Sequence, residues 1–320
     1  MPKLIFDRLQ YSRKTWSAEF NVELDSERWH VICGPSGAGK STLANLAAGL
    51  IVPRSGDIRI DGESITHLPP HRRGISLMGQ SDGLFPGVSI KENLLLALHD
   101  SSVSKSEKLE RITTLTKSLE LDAGILTRLP TQISGGQLSR CNLARALLRP
   151  CQWLFLDEPF AAVDRPTRLQ ILAWLQNWRQ ESKTSIIMIA HDLDDVFTVA
   201  TDVTVIAHGS IAEHAPLSNA LAQPKSVISA RLLRSGIIIS SKDTDFFVSS
   251  AHLVTSKADS LKIPEAARDS HVFVSPRATQ VGPWMRVIDC FDANDVTLPF
   301  DPEFENVVWF DRRKKIELTK

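Results

Sequence analysis

Cysteine is scarce in this chain and tyrosine nearly absent: its 320 residues include four Cys and one Tyr. Cys33, Cys141, Cys151 and Cys290 form no C-x-x-C pair, and Cys33 sits in an apolar run just ahead of a glycine-rich loop. Reduced, buried thiols of a cytosolic protein are expected rather than a disulfide framework. Net charge is missing as well. Lys plus Arg number 37 and Asp plus Glu number 37, so no bulk field draws the chain to nucleic acid or to a lipid surface, and any membrane link has to be specific docking. Long apolar runs are also lacking. Stretches such as Ser185-Ile186-Ile187-Met188-Ile189-Ala190 fall far short of the roughly 18 to 20 residues that span a bilayer. The first residues carry Asp7, Arg8 and Arg13 without an apolar core before a small-residue cleavage site, so no secretion signal is expected. Internal repeats and low-complexity tracts are absent.

What is present is a globular α/β pattern. Hydrophobic residues make up 42% of the chain, enough for one large domain and a small second one. Over residues 1–225, short β-like runs alternate with helical stretches, the signature of a largely parallel sheet. Residues 29–33 and 153–156 are nearly continuous apolar runs, as expected of central strands covered on both faces. Between them, residues 89–98 and 104–121 have helical spacing, which predicts a helical insertion over about residues 81–148. Leu169, Ile171, Leu172, Trp174, Leu175 and Trp178 predict the buried face of a helix beginning near Asp164. After Gln223-Pro224 the texture changes to short strand candidates at 236–240, 246–249, 271–275 and 285–291. Residues 226–320 therefore read as a small β-rich domain.

Three motifs carry chemistry. Gly34-Pro35-Ser36-Gly37-Ala38-Gly39-Lys40-Ser41 fits G-x-x-x-x-G-K-[ST] between a strand and a helix that continues through Thr42. Its glycines let backbone N–H groups wrap a phosphate, and the helix N-terminus adds a positive end. Lys40 is expected to reach the β and γ phosphates of ATP, and the Ser41 hydroxyl to coordinate Mg2+. Second, Asp157 and Glu158 end a buried strand at the edge where an open α/β sheet presents its ligand crevice. Asp157 is the candidate metal ligand and Glu158 the candidate general base; the lesser reading, for the pair standing alone, is two acids capping the next helix or solvated on a loop. Third, Ser134-Gly135-Gly136-Gln137 opens another helix, and taken singly it reads as a loop with a helix cap.

In this order the three motifs resemble the ABC ATPase family, over roughly the first 225 residues. The resemblance implies a P-loop NTPase fold with a helical subdomain. It also implies a head-to-tail homodimer in which Ser134, Gly135, Gly136 and Gln137 of one copy close on the ATP held by the other. By the same resemblance Gln80 senses the metal and the water, His191 contacts the γ-phosphate, and Asp164 crosses to the partner. Tyr11 stacks on adenine, a role Trp16 or Phe20 could also fill unless they simply pack a strand. The sequence departs from the family pattern mildly. Ile133 leads the signature, Leu138-Ser139 follows it, and Ala161-Ala162-Val163 replaces the commoner Ser-Ala-Leu.

Leu68-Pro69-Pro70-His71-Arg72-Arg73, Leu84-Phe85-Pro86 and Leu129-Pro130 resemble the importer branch that serves iron, molybdate, sulfate or thiamine. That branch implies an ATPase, peripheral on the cytoplasmic face of the inner membrane, with separate permease subunits docked near residues 81–98. It also implies a periplasmic-type solute-binding protein as an indirect partner, and no nucleic acid. Val274-Ser275-Pro276-Arg277 and Val308-Trp309-Phe310-Asp311 resemble the OB-like domain that some such subunits append. The alternatives are a soluble ABC ATPase acting on nucleic acid or the ribosome, and a regulatory subunit with little turnover.

Overall fold

Alternating apolar and polar residues build the opening hairpin. β1 (Lys3–Arg13) pairs antiparallel with β2 (Trp16–Asp25), from Lys3 opposite Asp25 to Arg13 opposite Trp16. In β2, Ala18, Phe20, Val22 and Leu24 are buried while the residues between them are exposed, the period-2 pattern of a half-buried strand. The structure, a computed structural model, describes residues 2–80, 83–98, 103–190, 193, 195–222 and 224–233. It also describes segments at 236–240, 244–249, 254–255, 261–263, 272–276, 285–286, 296–298, 306–311 and 314–317.

The chain continues through β3 (Trp29–Cys33), α1 (Lys40–Ala48), β4 (Ser55–Ile60), β5 (Glu63–Ser64) and β6 (Ile75–Met78). It then forms α2 (Ile90–Ala97), α3 (Lys105–Ser118) and α4 (Gly135–Leu147), and returns through β7 (Trp153–Asp157), α5 (Arg165–Ser182) and β8 (Ser185–Ile189). Strands β5, β4, β1 and β2 make an antiparallel group, and β3, β8, β7 and β6 a parallel one. Every residue of β3, β7 and β8 is buried, as near-continuous apolar strands between two helical layers should be. Because these three neighbours are parallel, with Ile32 and Asp157 both opposite Ile189, the loops that follow them leave from one edge of the sheet.

The helices between β6 and β7 start on side-chain caps. Ser89 and Glu92 form a capping box on α2, and Ser104 accepts the Glu107 N–H at the start of α3. Ile90, Leu94, Ile112, Leu115 and Leu143 close the core of this lobe. The buried face of α5 differs from the expected one. Ile171, Leu172 and Leu175 are buried, but the row continues to Arg179, which donates to the Glu27 carbonyl. Leu169 is exposed, and Trp174 and Trp178 stack on each other half-buried.

Contacts divide the chain into two compact units, Met1–Thr201 with His208–Ser210, and Asp202–Ala207 with Ile211–Lys320. In the second, β9 (Asp202–Ala207) is buried along its length and neighbours β10 (Ser210–Pro216), with α6 (Leu217–Ala222) and α7 (Val227–Leu233) following. Glu213 accepts the Lys225 N–H at 3.1 Å ahead of α7, and its burial holds the carboxyl above the usual range. The described residues of this unit also include β11 (Gly236–Ser240), β12 (Thr244–Ser249), β13 (Val254–Thr255), β14 (Leu261–Ile263), β15 (Val272–Pro276), β16 (Met285–Arg286), β17 (Val296–Leu298), β18 (Asn306–Asp311) and β19 (Lys314–Glu317). They form antiparallel sheets of order β16-β15-β12-β11-β18-β19 and β13-β14-β17. Of the sequence expectations for this region, residues 271 and 287–291, Arg277 and Cys290 lie outside the described residues.

Candidate functional site

The glycine-rich loop joins the end of β3 to the start of α1. Gly39 heads the helix at φ 109°, a conformation that L side chains rarely adopt. An added Cβ there would lie 3.0 Å from Cζ2 of Trp16 and 3.2 Å from Cζ of Phe20, so these two aromatic rings pack directly beneath the loop. No acidic residue occupies the first turn of α1, which leaves the positive end of the helix dipole facing the loop. The ammonium of Lys40 donates to the carbonyls of Gly34 at 2.9 Å and Pro35 at 3.0 Å, and the side chain is buried. That burial lowers its pKa, and the negative charge of Glu158 pushes back most strongly.

Asp157, the last residue of β7, is 4% exposed. Glu158 follows in the left-handed region at φ 53°, its N–H bonded to the Ile189 carbonyl at 3.0 Å. Holding a non-glycine residue there costs on the order of 1–3 kcal/mol, and such positions cluster at functional sites. Ser41, Gln80 and Asp157 line a single cleft of about 660 Å³, together with Asn45 and Arg149. The structure thus brings together three side chains expected to surround a metal and phosphates. Glu158 borders a neighbouring cavity of about 280 Å³ shared with Arg168. His191 lies outside the described residues, as do Ser81 and Asp82.

Tyr11 is not brought to that cleft. Its ring lies 6.4 Å from Trp16, tilted by 59°, and it lines a separate depression with Arg54 and His208. Trp16 and Phe20 are the aromatic residues packed against the loop itself.

Ser134 caps α4 through a complete capping box. Its Oγ accepts the Gln137 N–H at 3.3 Å, and Gln137 Oε1 accepts the Ser134 N–H at 3.0 Å. Gln137 therefore holds the turn, while Ser134 and Gly135 face solvent. An added Cβ on Gly136 would sit 2.7 Å from the carbonyl oxygen of Ala162, so only glycine allows this helix to meet that turn. Asp164 caps α5 by accepting the Thr167 N–H at 3.0 Å.

Several residues here escaped sequence reasoning. The Ser139 hydroxyl donates to the Pro159 carbonyl at 2.5 Å. Asp195, almost fully buried, pairs with Arg165 at 2.9 Å and Arg168 at 3.4 Å, and Arg168 also donates to the Val163 carbonyl. Asn93 is buried and bonds Phe85, Val88 and Ser89, which holds the loop ahead of α2. Arg145 lies 4.9 Å over the Phe85 ring, which is half exposed. Each of these contacts joins residues distant in sequence or depends on a side chain with no motif of its own. Cys33, Cys141 and Cys151 form no disulfide among the described residues, and burial pushes the thiols of the latter two up to about 12 and about 11. No helix among the described residues is long and apolar enough to cross a membrane.

The ABC transporter family model matches residues 18–161. The thiamine import ATP-binding protein ThiQ of Shigella flexneri serotype 5b is 37% identical over 193 residues, 60% of this chain and 83% of that protein. ThiQ of Escherichia coli is 36% identical over 213 residues, 67% of this chain and 91% of its own length. Among solved structures, the dimeric ATP-binding cassette MJ0796 in a post-hydrolysis state bound to ADP and Pi matches with a TM-score of 0.60 at 26% identity. That match covers 68% of this chain and 98% of the other.

Proposed function

Because the chain belongs to the ABC transporter family, and is an ATP-hydrolysing subunit that powers import through separate membrane subunits, we propose that its transporter carries thiamine and that the residues gathered around Lys40 perform the hydrolysis. The observation that carries the site is the convergence of Ser41, Gln80 and Asp157 on one cleft at the mouth of the glycine-rich loop. In this reading the loop N–H groups and Lys40 bind and orient the β and γ phosphates. Glu158 accepts a proton from the water that attacks the γ-phosphorus, and ADP and phosphate leave. His191 steadies the γ-phosphate, and the ring of Trp16 or Tyr11 faces the adenine.

The donor set fits Mg2+. A carboxylate, a hydroxyl and an amide oxygen are hard ligands, few enough for the ion to keep waters and phosphate oxygens. When bound, the ion would neutralise negative charge on the phosphates. Ser41, Gln80 and Asp157 would hold it.

Two copies meet head to tail, with Ser134, Gly135 and Gly136 of each capping the ATP of its mate and Asp164 reaching across. The half-exposed Phe85 and exposed Leu96 support a permease helix docked near residues 81–98 on the cytoplasmic side. A solute-binding protein is the indirect partner, and the balance of charge speaks against nucleic acid. Uptake of labelled thiamine by cells lacking the chain tests the cargo. Uptake is expected to be lost, restored by the wild-type chain and not by Glu158→Gln; uptake that persists at the wild-type rate without the chain rules thiamine out.

A further inference from the structure

The turn between Glu158 and Asp164 is touched twice by the first turns of α4. Ser139 Oγ donates to the Pro159 carbonyl at 2.5 Å, one residue beyond Glu158. Gly136 lies against the Ala162 carbonyl so closely that a Cβ would stand 2.7 Å away, and a Cβ on Gly135 would meet Ala162 Cβ at 3.6 Å. The turn itself is tied down. Glu158 N–H bonds Ile189, Ala161 N–H bonds Glu158 at 3.3 Å, and Val163 N–H bonds Phe160 at 3.1 Å. At the other end of this contact, Ser134 caps the same helix one turn before Ser139.

We propose that Ser139 is a positioning residue that couples the two ATP sites of the dimer, transmitting the placement of the Ser134 turn to Glu158 through its hydrogen bond to the Pro159 carbonyl. The inference rests on the reading above, in which Ser134 serves the partner's ATP and Glu158 the chain's own. A rigid helix links the two functions inside one subunit. If γ-phosphate binding presses the N-terminus of α4 toward the turn, Gly136 already abuts Ala162 and the turn moves with it. Glu158, held in the left-handed region by its neighbours, is sensitive to such a shift. Coupling of this kind is a free energy between two sites and reads out as cooperativity.

The test uses the full chain with MgATP, comparing wild type, Ser139→Ala, Ser139→Thr and Glu158→Gln. Alanine favours the helix, so Ser139→Ala is expected to fold. It should lower kcat roughly three- to tenfold, the scale of one lost hydrogen bond, and bring the Hill coefficient for ATP toward 1, with nucleotide affinity of the isolated subunit unchanged. Ser139→Thr keeps the hydroxyl and should restore both quantities. Unchanged kcat and Hill coefficient in Ser139→Ala would overturn the coupling, as would equal impairment in the alanine and threonine variants. Glu158→Gln separates the two levels: if it turned over at the wild-type rate, the base assignment and the coupling would fall together, whereas an inactive Glu158→Gln beside an unaffected Ser139→Ala would sink the coupling alone.

Discussion

In the proposed reading, Lys40 is the side chain whose partners change when nucleotide enters. Its ammonium rests on two neutral carbonyls, those of Gly34 and Pro35, and is shielded from water. Burial has already disfavoured the charged form, so exchanging those carbonyls for anionic phosphate oxygens adds attraction with little further desolvation. Charge-assisted hydrogen bonds contribute about 1.5–3 kcal/mol each, and about 1.4 kcal/mol is a factor of ten in affinity. Lys40→Ala should therefore weaken ATP binding roughly 10- to 100-fold and remove hydrolysis. Calorimetric titration of the full chain with MgATP measures the first effect, and an affinity within twofold of wild type would mean that Lys40 does not touch phosphate.

The C-terminal end of α1 shows how a second element stabilises the one that carries the loop. Arg73 is buried and donates to Leu46 at 2.9 Å and Ala47 at 3.2 Å in the last turn of α1, and to Thr66 and Leu68 at 2.5 and 2.8 Å. A guanidinium at a helix C-terminus satisfies orphan carbonyls and complements the dipole. Arg73→Met keeps the bulk and loses these bonds, which should cost about 2–4 kcal/mol. Urea unfolding should show a lower midpoint with an unchanged slope; a loss below about 0.5 kcal/mol would leave the cap without weight. The sequence marked Arg73 only through a resemblance to importers, since its helix partners lie 26 and 27 positions earlier. What was legible is local. The glycine-rich loop occupies consecutive residues, the helix cap at Ser134 spans one turn, and the apolar runs of β3, β7 and β8 declare their own burial. What was not legible depends on distant surfaces. α5 places Arg179 in its buried row because the Glu27 carbonyl accepts from it, and a hydrophobic count passes over that residue in favour of Trp174 and Trp178. Ser139 reads as a departure from a family pattern until the Pro159 carbonyl gives a small hydroxyl a reason to be there.

For the molecule as a motor, the decisive property is that the chain's own Ser134 is exposed and lines neither the cleft of Ser41 and Asp157 nor the cavity of Glu158. A helix N-terminus that presents its serine and glycine to solvent is placed to meet an anion brought by a second copy. On the proposed head-to-tail reading, in which two half-sites share the γ-phosphate, the assembly should then depend on intact triphosphate. With MgATP, Glu158→Gln should accumulate as a dimer of twice the subunit mass in light scattering after size exclusion, since binding is retained and hydrolysis is blocked. Adding Ser134→Arg to that variant should return it to monomer, while each monomer still binds ATP within about twofold, because the substituted residue stands outside its own cleft. The charge balance of the chain offers no long-range repulsion to explain such a loss, so the steric block at the signature turn would be its cause. A Ser134→Arg, Glu158→Gln chain that dimerised as readily as Glu158→Gln alone would remove the signature turn from the interface, and with it the shared-nucleotide mechanism.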